Sequence, residues 1–132
     1  MDKDKPFNIL SAYVVLGDKG DTTPVPVGDN FFQDLADKFG DFSGRRLVSH
    51  FSCDRDWDSW EMHPHGEELV YLLSGRVDFV LEQEDGQTSV ALEHPGDYVI
   101  VPRGVWHTAK VHEPCSILFV TPGEATQHRA CK

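Results

Sequence analysis

The sequence between Arg45 and Thr121 is a succession of short runs rich in β-branched and aromatic residues, separated by turns containing Gly, Pro or Asp. The runs that predict strands are Arg45–Cys53, Val70–Ser74, Val77–Glu82, Thr88–Glu93, Tyr98–Val101, Trp106–His112 and Ser116–Thr121. Short strands with this punctuation indicate an antiparallel sandwich or barrel. The sequence therefore predicts an all-β fold over this region.

The N-terminal region adds one strand and one helix to the pattern. Phe7–Leu16 predicts a strand, and residues 22–28 predict an extended connector. Asp29 is the expected N-cap of a helix with an aromatic face, and Gly40 is its expected stop.

The chain length fits one domain with its own hydrophobic core. We expect a single domain over residues 1–132, with a core barrel at about 45–122, a strand and helix at 7–40, and a polar tail at 123–132.

Composition limits the location and the partners of the protein. The sequence has no apolar run near the ~20 residues of a membrane span and no signal-peptide pattern, so we expect no membrane association. Cys53, Cys115 and Cys131 are an odd number without C-x-x-C spacing, which favours reduced thiols and the cytoplasm. A formal net charge of -10 argues against nucleic-acid binding, which needs clustered cations.

Two stretches concentrate the residues that could carry chemistry. Residues 60–75 place two histidines and three carboxylates directly before an apolar strand. Such a cluster is costly to bury unless a cation binds it. Residues 96–107 predict a turn, a short strand, a Pro-x-Gly turn and then His107 at the start of the next strand.

Together these stretches resemble the two motifs of the cupin superfamily. The second matches G-x5-P-x-G-x2-H at every named position from Gly96 to His107, and the first matches through Glu68-x6-Gly75. The position four residues after His107, where the family's motif ends in asparagine, is Val111. The resemblance covers roughly residues 59–121. It implies a small single-domain cupin with a double-stranded β-helix (jelly-roll) barrel and, here, one short N-terminal helix.

The resemblance also implies a metal site. In the family pattern H-x-H-x4-E-x6-G, counting back from Glu68 puts the second histidine at His63 and the first at Glu61. The implied ligands are therefore Glu61, His63, Glu68 and His107. A rival alignment keeps His63 and His65 as the histidine pair, which makes His65 an additional candidate ligand. Glu61 could instead be a surface strand residue, and Glu68 could orient a histidine rather than bind metal.

Mixed imidazole and carboxylate ligation suits divalent Fe, Mn, Ni or Zn. Open coordination positions could polarise a carbonyl, hold an enediolate or bind dioxygen. We therefore expect a barrel-centred site that acts on or binds a small organic molecule. If the protein is an enzyme, it is a metal-dependent dioxygenase, isomerase or lyase.

The sequence leaves catalysis itself open. The alternative is a non-catalytic cupin that binds or senses a small molecule, with or without metal, because the first histidine is missing and no general base stands outside the ligand set. A sugar-binding or storage domain is a third hypothesis, which the short chain disfavours. The resemblance, the aromatic N-terminal strand and the Phe-rich helix also lead us to expect a homodimer.

Overall fold

The computed structural model describes residues 4–131. The description excludes residues 1–3, which belong to the N-terminus without a signal-peptide pattern. It also excludes Lys132, the last residue of the predicted tail. The elements in chain order are β1 (Ala12–Leu16), β2 (Thr22–Pro26), α1 (Phe31–Phe39), β3 (Arg46–Cys53), β4 (Ser59–Met62), β5 (Glu68–Gln83), β6 (Gly86–Leu92), β7 (Tyr98–Val101), β8 (Trp106–Thr121) and β9 (Gln127–Ala130).

The strands form an antiparallel β-barrel organised around β5 and β8. Strand β8 pairs with β3, β4 and β5, and β5 pairs in addition with β6 and β7. Strands β1 and β2 extend the sheet beyond β3, and β9 adds to β4. The predicted all-β architecture with one short N-terminal helix is confirmed.

Four of the predicted strands merge into two long ones. Val70–Ser74 and Val77–Glu82 both belong to β5, and Trp106–His112 and Ser116–Thr121 both belong to β8. The register between β5 and β8 shifts at three places between Leu72 and Val77. Such bulges let a strand bend around the barrel without interrupting its pairing, so the sequence pattern suggests a break where the chain only bends.

The N-terminal predictions need three corrections. Strand β1 begins at Ala12 rather than Phe7, because a turn precedes it in which Ser11 N donates to Asn8 O at 3.0 Å. The N-cap of α1 is Asn30 rather than Asp29. The extended connector is a strand, β2, paired with β1.

Two hydrophobic clusters hold the elements together. The larger one fills the barrel with alternate residues of β5, β7 and β8, among them Val70, Leu72, Phe79, Ala109 and Ile117. The smaller one lies under the helix and contains Val15, Val25, Phe31, Leu35, Phe42 and Leu47. The face of α1 that carries Phe31 and Leu35 therefore packs on the β1–β3 region, as an amphipathic helix on a sheet is expected to do, whereas Phe32 points away and is 76% exposed. In residues 4–131 no helix is long and apolar enough to cross a membrane.

Candidate metal centre

Four side chains from separate parts of the chain meet at one end of the barrel. Glu61 on β4 lies directly opposite His107 on β8 in the sheet register. His63 follows the end of β4, and Glu68 is the first residue of β5. Residues two apart along an extended chain share a face, so Glu61 and His63 both point toward this end.

The Pro-x-Gly turn before β8 fixes the backbone of His63. Gly104 has a φ of 74°, a conformation that favours glycine, and its N–H donates to the carbonyl of His63 at 3.0 Å. Val105 N closes the turn by donating to Pro102 O at 3.2 Å. His107 is only three residues after Gly104, so this turn brings His63 beside His107.

Glu68 stands between the two imidazoles. Its Oε1 lies 3.0 Å from Nε2 of His107, and its Oε2 lies 3.3 Å from Nε2 of His63. The three residues are 2%, 0% and 4% exposed, in the order Glu68, His107 and His63. Despite these short distances, Glu68 Oε1 and both Nε2 atoms have no partner in hydrogen-bond geometry within the described chain. Buried polar atoms without a hydrogen-bond partner are rare in folded proteins.

The outer nitrogens of both imidazoles have partners that fix their tautomer. Nδ1 of His107 faces the carbonyl of Val105 at 3.3 Å, and a carbonyl can only accept. Nδ1 of His63 lies 2.8 Å from Oγ1 of Thr126, whose own proton goes to Gly123 O. Both Nδ1 atoms therefore carry the proton of the neutral ring. In that neutral form, the Nε2 lone pairs of both rings face the Glu68 carboxylate.

Lone pairs directed at a carboxylate are repelled by it unless a proton or a metal ion lies between them. Bonds of about 2.1 Å to a first-row metal put neighbouring ligand atoms about 3.0 Å apart at a right angle and about 3.4 Å apart in a tetrahedron. The observed separations of 3.0 and 3.3 Å fall in that range. The donor set fits a divalent metal.

Glu61 completes the cluster from its more exposed side. Its Oε2 lies 4.0 Å from Nε2 of His63, its side chain is 30% exposed, and its Oε1 lies 3.3 Å from Nε2 of His128 on β9. Glu61, His63 and His107 can each offer one ligand atom such that all three atoms lie within 4.8 Å of one another.

The ionisation of the buried groups reflects this arrangement. Burial by itself opposes the charged form of Glu68, but the imidazoles of His107 and His63 outweigh it and lower the pKa of this carboxyl from 4.5 to about 2. Burial also opposes the charged form of His107, and contact with Glu68 outweighs it, so the pKa of His107 is raised. Thr121 adds a hydrogen bond to Glu68 Oε2 at 2.6 Å.

The structure does not bring His65 to the cluster. Its side chain is 52% exposed, and its Nε2 lies 4.0 Å from Glu124. It lines a separate pocket of about 250 Å³ together with Arg103, and none of the cluster residues line that pocket. The geometry thus favours the alignment that places Glu61, rather than His65, beside His63.

A cleft of about 1060 Å³ opens from the cluster toward α1. Its walls include Tyr13, Phe31, Phe51, Trp57 and Phe119. Val70, Leu72, Phe79 and Ala109 do not line this cleft, because their side chains are fully buried in the barrel core. Of the three tryptophans, Trp57 lines the cleft, whereas Trp60 and Trp106 lie outside its lining.

Three residues that contact the cluster carry no recognisable signal in the sequence: Thr121, Thr126 and His128. Thr126 and His128 lie in the C-terminal stretch, where the sequence shows neither a motif nor a periodicity. A hydroxyl at this place carries no sequence signal, since its role depends on how β9 returns to β4.

Comparisons with known proteins agree with this fold. The model of the Cupin domain family matches residues 55–121, just over half of the chain. No curated protein matches the sequence.

Two solved structures illustrate the likeness. A cupin-2 domain containing protein from Shewanella frigidimarina is 18% identical with a TM-score of 0.50, and the alignment covers 58% of this chain and 70% of that one. A mutant of the oxalate decarboxylase of Bacillus subtilis is 15% identical with a TM-score of 0.52, and the alignment covers 65% of this chain. This chain matches only 24% of the length of that enzyme. The family match over residues 55–121 includes both motifs and the side chains of the cluster, and the chain belongs to the cupin family.

Proposed function

We propose that the protein uses a divalent metal, held by Glu61, His63, Glu68 and His107, to act on a small organic molecule bound in the cleft. The observation that carries this proposal is the buried pair of Nε2 lone pairs facing the Glu68 carboxylate at 3.0 and 3.3 Å. Because Thr126 and Val105 hold the Nδ1 protons, a single divalent metal ion could satisfy both Nε2 atoms and the carboxylate at the same time.

A metal in this position supplies a Lewis acid, which can polarise a carbonyl or stabilise an enediolate. The chain supplies the orientation. Thr121 fixes the Glu68 carboxylate and Thr126 fixes the ring of His63, while Trp57 covers His107 with ring centroids 6.2 Å apart. Divalent Fe, Mn, Ni and Zn all suit these ligands. The oxalate decarboxylase of Bacillus subtilis, a protein of similar fold, has Mn(II) centres.

A non-catalytic binding cupin is the second candidate. The buried imidazoles and the buried carboxylate of the described chain all belong to the cluster, which leaves no buried side chain free to act as a general base. A ligand that raises the melting temperature and is recovered unchanged would favour this candidate. Conversion of the ligand would favour an enzyme.

Metal content tests the proposed function directly. We expect untagged protein to hold about one transition-metal ion per chain, or to take one up when metal-free protein is titrated with Mn²⁺, Fe²⁺, Ni²⁺ or Zn²⁺. The variant His107→Ala should lose this capacity. His94→Ala, at a side chain 82% exposed in a turn, is the matched control and should keep it. Wild-type protein that neither holds nor takes up metal would refute the proposal.

A homodimer also remains a proposal, and one surface supports it. On one face of the sheet, aliphatic residues pair across five neighbouring strands in a single row: Val14, Val48, Val120, Leu69 and Ile100. Ile100 at the end of this row is 51% exposed. Light scattering of purified protein would give twice the chain mass if this face packs against a second copy.

A further inference from the structure

The presence of Glu61 changes the charge of the candidate metal centre. This inference rests on the proposed function. The family pattern has a neutral imidazole at this position, and here the side chain is a carboxylate whose oxygen lies 4.0 Å from His63 Nε2. With Glu61 and Glu68 both ionised, a divalent metal at this site has no net charge. With a neutral histidine at position 61 instead, the metal centre would keep one positive charge, which would attract an anionic ligand.

The walls of the cleft add no buried cation that could compensate for this loss of positive charge. Acidic side chains at its edge include Asp29, Asp41 and Asp58. In the described part of the chain, Arg55 is the one Lys or Arg that lines it. The Arg55 side chain is 86% exposed, and its Nε lies 3.4 Å from the carboxylate of Asp54. A carboxylate or phosphate group entering the cleft would therefore meet no buried positive partner, and burying such a group is costly.

The interior walls favour an apolar ligand. Trp57 contacts Phe51 and Phe119 with ring centroids 6.5 and 6.0 Å apart, and all three rings line the cleft. The same indole packs against His107, so the aromatic wall continues to the metal ligands. Aromatic faces bind apolar groups and also attract cations.

The charge of the whole protein acts in the same direction. A net charge of -10 gives a negative potential that lowers the local concentration of anions near the surface. We propose that the cleft selects uncharged or cationic molecules with an aromatic or aliphatic body and discriminates against anionic ones. Oxalate, the substrate that names the structurally similar decarboxylase, is a dianion and belongs to the disfavoured class.

A pair of probes with one shape and two charges tests this proposal. Benzamide and benzoate are nearly isosteric, and only benzoate carries a negative charge. The protein is loaded with Co²⁺, whose visible spectrum first shows whether the metal is bound, and each probe is then titrated by calorimetry. We expect benzamide to bind wild-type protein more tightly than benzoate. Oxalate should leave the Co²⁺ spectrum unchanged.

The variant Glu61→Gln isolates the contribution of the carboxylate. It removes one negative charge at nearly constant volume, so the preference for benzamide over benzoate should fall by roughly tenfold or more. Glu84→Gln is the matched control. It makes the same change of net charge in the exposed β5–β6 hairpin, away from the residues that line the cleft, and should leave the preference unchanged.

The outcomes separate this inference from the proposed function. Protein that takes up no Co²⁺ refutes the metal site itself. Protein that takes up Co²⁺ but binds benzoate or oxalate more tightly than benzamide, or binds none of the three, overturns the selectivity and leaves the metal site intact. An equal response of Glu61→Gln and Glu84→Gln would show a general charge effect rather than selection at the centre, and would also overturn it.

Discussion

Oγ1 of Thr126 accepts a hydrogen bond from Nδ1 of His63 at 2.8 Å while donating its own proton to Gly123 O. Thr126 lies beyond residues 55–121, the part of the chain that the family model matches. A residue outside the family motifs therefore sets which nitrogen of His63 can bind a metal. Partners of this kind typically change metal affinity by about 10- to 100-fold when they are removed.

We predict that Thr126→Val lowers the metal affinity of the protein by about 10- to 100-fold. Valine has nearly the shape of threonine but cannot accept the Nδ1 proton, so the ring of His63 loses its fixed tautomer. Competition with a chromophoric chelator measures the affinity. Thr126→Ser keeps the hydroxyl and should stay close to wild type. Equal losses in both variants would indicate a packing effect instead.

The two alignments of the first motif predict different ligands. His63 is 4% exposed within the cluster, whereas the side chain of His65 is 52% exposed beside Glu124. We therefore expect His63→Ala to abolish stoichiometric metal binding and His65→Ala to leave it unchanged. Metal analysis of the two purified variants, with circular dichroism to verify folding, makes the comparison. Loss of metal from His65→Ala would restore the rival alignment.

The parts of this structure that the sequence could predict are those with a fixed spacing. Glu68-x6-Gly75 lies within strand β5, and the Gly96–His107 pattern spans strand β7 with the turns on either side of it, so the spacing determines which side chains face inward. The structure indeed brings His63, Glu68 and His107 together. Their role as metal ligands stays a prediction.

The parts that could not be predicted depend on contacts distant in sequence. His128 reaches Glu61 because β9 pairs with β4, and His63 meets Thr126 across 63 residues. Short polar strands such as β9 carry no hydrophobic alternation, because all four residues are exposed. The bends in β5 and β8 are also invisible locally, since a bulge keeps the strand but resembles a turn in sequence.

Gly75 offers a test of the barrel itself. Its φ is 84°, and a Cβ at this position would lie 2.2 Å from the carbonyl oxygen of Pro114. Gly75→Ala should therefore strain the backbone at this position and also force β5 and β8 apart. Together these effects should lower the free energy of unfolding by about 2–5 kcal/mol. Urea denaturation monitored by circular dichroism measures the free energy of unfolding.

Gly20→Ala is the matched control for this change. Gly20 has a φ of 85°, but nothing lies within 4 Å of its Cβ position, so the cost should be only about 1–2 kcal/mol. The difference between the two variants gives the energy of the close approach at Gly75. Equal destabilisation would mean that the strands accommodate the methyl group.

The pKa values predict how the stability of metal-free protein depends on pH. The pKa of Glu68 is lower in the folded chain than its ordinary value of 4.5, so its contribution is complete above pH 4.5 and is lost as the pH falls toward about 2. The pKa of His107 is raised above 6.5, so its contribution is complete below pH 6.5 and is lost as the pH rises through the raised value. Stability from this pair is therefore greatest between about pH 4.5 and 6.5.

Urea denaturation of metal-free protein across this range measures the effect. On the acid side, the loss due to Glu68 should be on the order of 3 kcal/mol, because each unit of pKa displacement corresponds to about 1.4 kcal/mol. Glu68→Gln cannot ionise and should be less stable than wild type near pH 5.5, with a flatter decline toward acid. In this variant His107 loses the charge that stabilises its protonated form, so the advantage of wild type over the variant should narrow as the pH rises above neutral. A wild-type profile parallel to that of Glu68→Gln would show that the carboxylate does not interact with His63 and His107 as the structure indicates.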